Sequence, residues 1–263
     1  MLVEPLVRVA GQFGAYFQGR IGADGPVVMV TVPCAALGVE VVAEPGAFAV
    51  DGADEAMARR FFEALGSVPE LRFRVTQDAP SGAGVGISTA TLLALAKAAG
   101  IEATTEALLA VETAVAPVML GAPGDVLWSP RKAEVARWFG PLPEFVVVGG
   151  FFGTLETANA DNSFADVADI IEFWGAAIER GDRAALAGIA TEAARRTTAL
   201  RGPDGDPTEQ LARDLGALGS VRAHAGTARG LLFAPGKVPG HVADALTEAG
   251  FADVLSFRTG GAV

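Results

Sequence analysis

Residues 80–89 read Pro-Ser-Gly-Ala-Gly-Val-Gly-Ile-Ser-Thr, and an apolar stretch suited to a helix follows over residues 89–99. Glycines at 82, 84 and 86 remove Cβ atoms from alternate positions, so the backbone can approach a ligand closely. Ser88 or Thr89 falls where a helix N-cap belongs. The first amides of a helix lack intrahelical partners, and the helix dipole is positive there, so the arrangement suits a phosphate. It is not a Walker A loop, because no Lys precedes the Ser/Thr, and it lacks the third glycine of a dinucleotide fold. The same residues also suit a flexible loop ahead of a core helix, and the pattern alone leaves both readings open.

Other chemistry-bearing residues are sparse. Glu112 stands near the end of a helix expected over 104–113. His224, Gly226 and Thr227 stand in the run Val221-Arg-Ala-His-Ala-Gly-Thr-Ala-Arg-Gly-Leu-Leu-Phe233. A lone Glu at a helix end is usually solvated and a lone His is usually structural, so neither is a site by residue type alone.

The order of these segments resembles the GHMP kinases, the superfamily of galactokinase, homoserine kinase and mevalonate kinase. Their second motif is close to P-x-G-A-G-L-G-S-S-A-A. Here Gly82-Ala83-Gly84 keep the loop, Val85 stands for Leu, Ile87 for the first Ser, and Ser88 keeps the second. The Ser-Thr-Ala run, and His224, Gly226, Thr227, Gly230, Leu231 and Leu232, resemble the propanediol-utilisation L-threonine kinase branch. So does Phe13-Gly-Ala-Tyr-Phe-Gln-Gly19 followed by Pro33-Cys34.

The resemblance implies an α+β, GHMP kinase-like two-domain fold. Residues 1–142 would form a ribosomal S5-like α/β domain with the phosphate loop, and 143–263 a ferredoxin-like domain. It implies ATP and Mg²⁺ as cofactors, with nucleotide held by Gly82, Ala83, Gly84, Val85, Gly86, Ser88 and Thr89. Metal would sit on Ser88 and Glu112. Tyr16, Gln18, His224, Gly226 and Thr227 would face a small-molecule alcohol, with Phe17 and the loop near Asn159 adding specificity. The expected activity is phosphorylation of a hydroxyl, for example on a hydroxy amino acid. Two departures matter: Ala15 and Ala116 stand where relatives carry Glu and Asp. No catalytic base is therefore assigned; another carboxylate, such as Asp125 or Asp161, could substitute, but nothing in the sequence places one at the site. A relative that binds nucleotide without turnover, and a small-molecule binder with no nucleotide, are the alternatives.

The elements that must position these residues follow from pattern. Strands are expected over 6–10, 27–33, 39–43, 71–75, 145–149 and 251–257, with a hairpin over 126–138. Helices are expected over 54–64, 164–180 (capped by Asn162 or Ser163), 183–200, 207–218 and 239–249. Gly140-Pro-Leu-Pro143 is the clearest linker. At 263 residues and 51% hydrophobic, the chain can bury a full core. A net charge of -11 argues against nucleic acid and anionic membrane partners. Cys34 is the single cysteine, so no intrachain disulfide forms, and with no leader-like N-terminus a reducing cytoplasm is expected. Nothing in the pattern addresses oligomeric state.

Overall fold

The computed structural model describes residues 6–155 and 163–260. In chain order the elements are β1 (Val7–Arg20), β2 (Val27–Pro45), β3 (Ala49–Asp51), α1 (Glu55–Ala64), β4 (Leu71–Gln77), α2 (Ile87–Ala98) and α3 (Thr105–Leu109). Then come β5 (Val126–Ser129), β6 (Glu134–Trp138), β7 (Phe145–Phe151), α4 (Ala168–Glu179), α5 (Arg183–Arg201) and α6 (Thr208–Asp214). β8 (Gly219–Arg222), β9 (Ala228–Phe233), α7 (Val242–Glu248) and β10 (Ala252–Thr259) close the chain.

One sheet of ten strands runs β10-β7-β9-β8-β1-β2-β4-β3, with β5 and β6 branching from β2. β1 is its hinge: it pairs along its length with β2 and touches β8 through Ala15 and Arg222. α2 packs on β1 and β2, α5 on β1 and β8, and α4 lies against α5. Tyr16 and Phe17 of β1 pack with Trp174 of α4, and Tyr16 also meets Phe145. A separate aromatic group of Phe48, Phe61, Phe62 and Phe73 holds α1 to the sheet.

Two expectations about this region are corrected. The strand expected over 6–10 continues to Arg20, through Gly11, Gly14 and Gly19. Those glycines are crossing points: a Cβ on Gly11 would lie 2.6 Å from the Val85 carbonyl oxygen, and one on Gly14 2.6 Å from the Arg222 carbonyl carbon. Likewise the strands expected over 27–33 and 39–43 are one, β2. Pairing steps from Gly11–Cys34 to Ala10–Gly38, so Pro33 and Gly38 flank a bulge and not a break.

Local signals worked better for helix starts. Asp54 Oδ1 accepts the Met57 amide at 2.9 Å and caps α1. Asp54→Ala is expected to cost about 1 kcal/mol, read as a lowered urea midpoint at unchanged m-value. The helix expected from 164 begins at Ala168, and the suggested cap Asn162 lies outside the described residues.

Candidate functional site

The loop and the start of α2 are shaped by which backbone groups are already used. β4 delivers the chain to the loop after Gln77. The loop's carbonyls then turn away from the open side. Ala83 O accepts the Ala228 amide at 3.1 Å, Gly84 O the Gly14 amide at 3.0 Å, and Val85 O the Gln12 amide at 3.0 Å. The amides of residues 84–89 donate to no other group among the described residues. A row of tied carbonyls behind free amides is a nest for an anion. Gly86, at φ 71°, is the N-cap of α2, so Ser88 and Thr89 lie inside the first turn and neither is the cap expected from sequence.

This rotation decides which hydroxyl does what. Thr89 Oγ1 donates to Glu112 Oε2 at 2.7 Å and accepts the Ala116 amide at 3.1 Å. Ser88 Oγ contacts Met57 Sδ at 3.8 Å. Glu112 is not on a helix; α3 has ended at Leu109, and the Glu112 amide donates to Leu108 O at 2.9 Å. The segment beyond it is pinned by Val115 N to Pro130 O at 2.8 Å and by Trp128 Nε1 to Val115 O at 2.7 Å. Burial pushes the Glu112 carboxyl above its usual range, and the Ser88 and Thr89 hydroxyls oppose that shift. Thr89→Val strips Glu112 and the Ala116 amide of a partner together. It is expected to cost about 1–3 kcal/mol in denaturant unfolding.

The third wall is the turn between β8 and β9. The Ala223 amide donates to Ala228 O at 2.8 Å and closes it. Behind it, Arg229 and Asp206 form a buried ion pair at 2.8 Å, and Arg229 Nη1 holds the Gly226 carbonyl at 2.8 Å. Burial raises the Asp206 carboxyl, but hydrogen bonds from Thr208 and Arg229 outweigh it and hold the group below its usual value. The His224 ring stacks on Phe164 at 4.1 Å and 3°, and the guanidiniums of Arg131 and Arg20 lie 5.3 and 5.9 Å from the Phe164 ring centre.

These walls enclose a cleft of about 250 Å³. Gly82, Gly84, Val85, Gly86, Ser88 and Thr89 line it, as do Gln18, Glu112, Ala116, His224 and Gly226. The other named positions fall elsewhere. Ala83 is fully buried beneath the loop. Tyr16 and Phe17 are each 1% exposed in the aromatic core and both pack on Trp174 of α4, since a register shift between Ala15 and Phe17 interrupts the alternation of β1. Ala15 is buried with Met29 and Trp128, outside the cleft lining. Thr227 is buried, and its carbonyl accepts the Phe152 amide at 2.8 Å. Asp125 is occupied by the Leu142 amide at 3.2 Å and does not reach the cleft, so it is no substitute base. Asn159 and Asp161 lie outside the described residues.

Sequence reasoning missed Gln12. It lines the cleft, and its Oε1 accepts the Thr31 hydroxyl at 2.7 Å, which leaves the amide nitrogen to donate. The available signal was a polar residue inside an apolar strand.

As a metal site the cleft is thin: no group of three His, Cys, Asp or Glu side chains comes together among the described residues. One carboxylate beside two hydroxyls fits a Mg²⁺ that arrives with phosphate oxygens, since Mg²⁺ commonly uses one or two carboxylates plus substrate phosphates.

No protein-family model and no curated protein sequence matches the chain. Solved structures do. Mevalonate kinase from Methanococcus jannaschii superposes with a TM-score of 0.62 at 11% identity, covering 99% of both chains. Homoserine kinase from Cytophaga hutchinsonii gives 0.63 at 15% identity, covering 100% of this chain and 96% of that one. Mevalonate kinase from methicillin-resistant Staphylococcus aureus gives 0.59 at 20% identity, over 97% and 99%. The fold is therefore the α+β fold of the GHMP kinases, at full length. Among the described residues no helix is long and apolar enough to cross a membrane.

Proposed function

We propose that the chain is an ATP-dependent kinase that phosphorylates a hydroxyl on a small molecule, with a hydroxy amino acid as the first acceptor class to test. One observation carries the reading. Unmatched amides of residues 84–89 face the same cleft as a carboxylate that Thr89 holds in place. Phosphoryl transfer asks for alignment and charge neutralisation more than for covalent help.

In this reading the loop amides receive the phosphates. The nucleoside extends into an adjoining slot of about 160 Å³ between the start of α1 and α2, lined by Met57, Gln77, Leu92 and Leu95 and sharing Ser88 with the cleft. Glu112, with Ser88 or Thr89, would hold Mg²⁺, which neutralises phosphate charge when bound. That neutralisation matters for a chain with net charge -11. Gln12 and Gln18, which line the cleft, would donate to the acceptor. Besides Glu112, His224 is the titratable group lining the cleft among the described residues, and it is our candidate to take the acceptor proton.

A second reading has its own support. Ala116 lines the cleft where the resemblance calls for an acid, which is what a nucleotide-binding relative without turnover would show. Calorimetry with Mg-ATP, followed by ADP release against hydroxy amino acids and small alcohols, separates the two. Binding with turnover supports the kinase. Binding with no turnover on any acceptor supports the second reading, and no binding at millimolar ATP defeats both.

A further inference from the structure

Two polar side chains sit deep in the β1–β2 ladder beside the cleft. Gln12 of β1 is 7% exposed and Thr31 of β2 is 0% exposed. β1 carries one extra residue between the pairs Gln12–Pro33 and Ala15–Thr31, and Gly14, at φ 64°, lies in that bulge. The bulge brings the Gly14 carbonyl and the Gln12 side chain to the same hydroxyl. Thr31 Oγ1 lies 2.7 Å from Gln12 Oε1 and 3.2 Å from Gly14 O.

A hydroxyl has one proton to give. The shorter contact takes it to Gln12 Oε1. Gln12 then faces the cleft with Nε2, and that nitrogen has no hydrogen-bond partner among the described residues. Space fixes the rest of the side chain: a Cβ on Gly86 would lie 3.1 Å from Gln12 Cγ. The amide has one other arrangement open to it. Turned over, it would donate from Nε2 to Thr31 Oγ1 while Thr31 donated to Gly14 O, and the cleft would meet a carbonyl. The Gln12 side chain thus carries both polarities, and the Thr31 proton selects one.

We propose that Thr31 is a positioning residue that locks the Gln12 amide with its donor toward the cleft. The lock matters because Glu112 already lines the same cleft with acceptor oxygens. A further oxygen facing inward would repel both phosphate and acceptor oxygens. A fixed N–H instead binds the oxygen of the acceptor hydroxyl through a lone pair. That leaves the hydroxyl proton to be removed and steadies the charge that builds as it goes. A donor at this wall takes an alcohol or carbonyl oxygen and turns away an ammonium group. The catalytic consequence rests on the kinase reading; the lock does not.

The test compares wild type with Thr31→Val, which keeps the shape and loses the proton, and Thr31→Ser, which keeps the proton. Thr31→Ala stands in for the Val variant if that one folds poorly. The readouts are steady-state kinetics, melting temperature and NMR relaxation of the Gln12 side-chain amide. Thr31→Val is expected to lower kcat/KM for the acceptor alcohol about 10-fold, with the KM for Mg-ATP unchanged, and Thr31→Ser to recover it. In a Gln12→Ala background the Val substitution should cost no further activity, because its effect runs through the amide. The amide should be ordered in wild type and the Ser variant and looser in the Val variant. No loss of rate, a loss that Ser does not recover, or one that persists undiminished in the Gln12→Ala background shows that Thr31 only supports the strands, and overturns the positioning role. An amide equally ordered in the Val variant overturns the lock. A wild-type chain that turns over no acceptor defeats the kinase reading instead, and the lock then stands or falls on the relaxation measurement alone.

Discussion

Glu112→Gln is expected to lower turnover and to leave the fold intact. In the proposed kinase we expect kcat to fall by at least about 10²-fold, the usual loss when one preorganised electrostatic group of a transition state is deleted. Gln keeps an oxygen for the Thr89 hydroxyl, so the hydrogen bond at 2.7 Å has a conservative replacement. Stability should move the other way. The Glu112 carboxyl titrates above its usual range because it is buried, against the opposing Ser88 and Thr89 hydroxyls. A carboxyl with a raised folded pKa favours the folded state while protonated. That contribution is present below the unfolded value and is lost as pH rises through the folded one. At neutral pH the ionised group is thus a standing cost, and the Gln variant should melt at the same temperature as wild type or higher. The gap should close as pH falls toward 4. A variant that melts lower at pH 7.5 would show that the ionised carboxylate supports the metal-free fold. Function and stability opposed at one side chain is what a binding group, as opposed to a packing group, produces.

Gly84→Ala is the second large effect, and it acts on folding. Gly84 sits at φ 85°, and a Cβ there would lie 2.2 Å from the Ala223 Cβ. Left-handed strain of about 1–2 kcal/mol adds to overpacking of about 1–3 kcal/mol. The expected loss is about 2–5 kcal/mol, measured as a urea midpoint shift. Gly82→Ala is the control. Its φ is 90°, yet no atom lies within 4 Å of the added carbon, so only the strain remains. Equal losses at the two positions would refute the packing argument. Nucleotide binding should accordingly be probed away from Gly84, since an Asp there would fail through misfolding before it repelled a phosphate.

The part of this protein that sequence could read is the part written locally. A strand, a glycine-rich loop and an apolar helix announce themselves in one continuous stretch over residues 71–98, and the loop's three positive-φ glycines are a backbone requirement visible as residue type. Asp54 before a helical stripe is equally local. So is the β5–β6 hairpin, whose apolar runs flank a polar tip. The order of these signals along the chain was enough to indicate the fold.

Tertiary structure decided what depends on where a side chain points and on what crosses it from a distance. The glycines of β1 suit either a turn or close packing by residue type, and only the fold shows that Val85 and Arg222 pass within van der Waals distance of Gly11 and Gly14. Tyr16 looked like a cleft residue, but at the register shift between Ala15 and Phe17 it packs against Trp174, while Gln18, beyond that shift, lines the cleft. Ser88 and Thr89 are adjacent in sequence, but the α2 N-terminus starts at Ile87 and turns Thr89, with its hydroxyl, onto Glu112. The Arg229–Asp206 pair joins residues 23 apart through the fold alone. Composition and short-range spacing specify which backbone shapes are affordable. Long-range register specifies which atoms meet, and a site is made of atoms that meet.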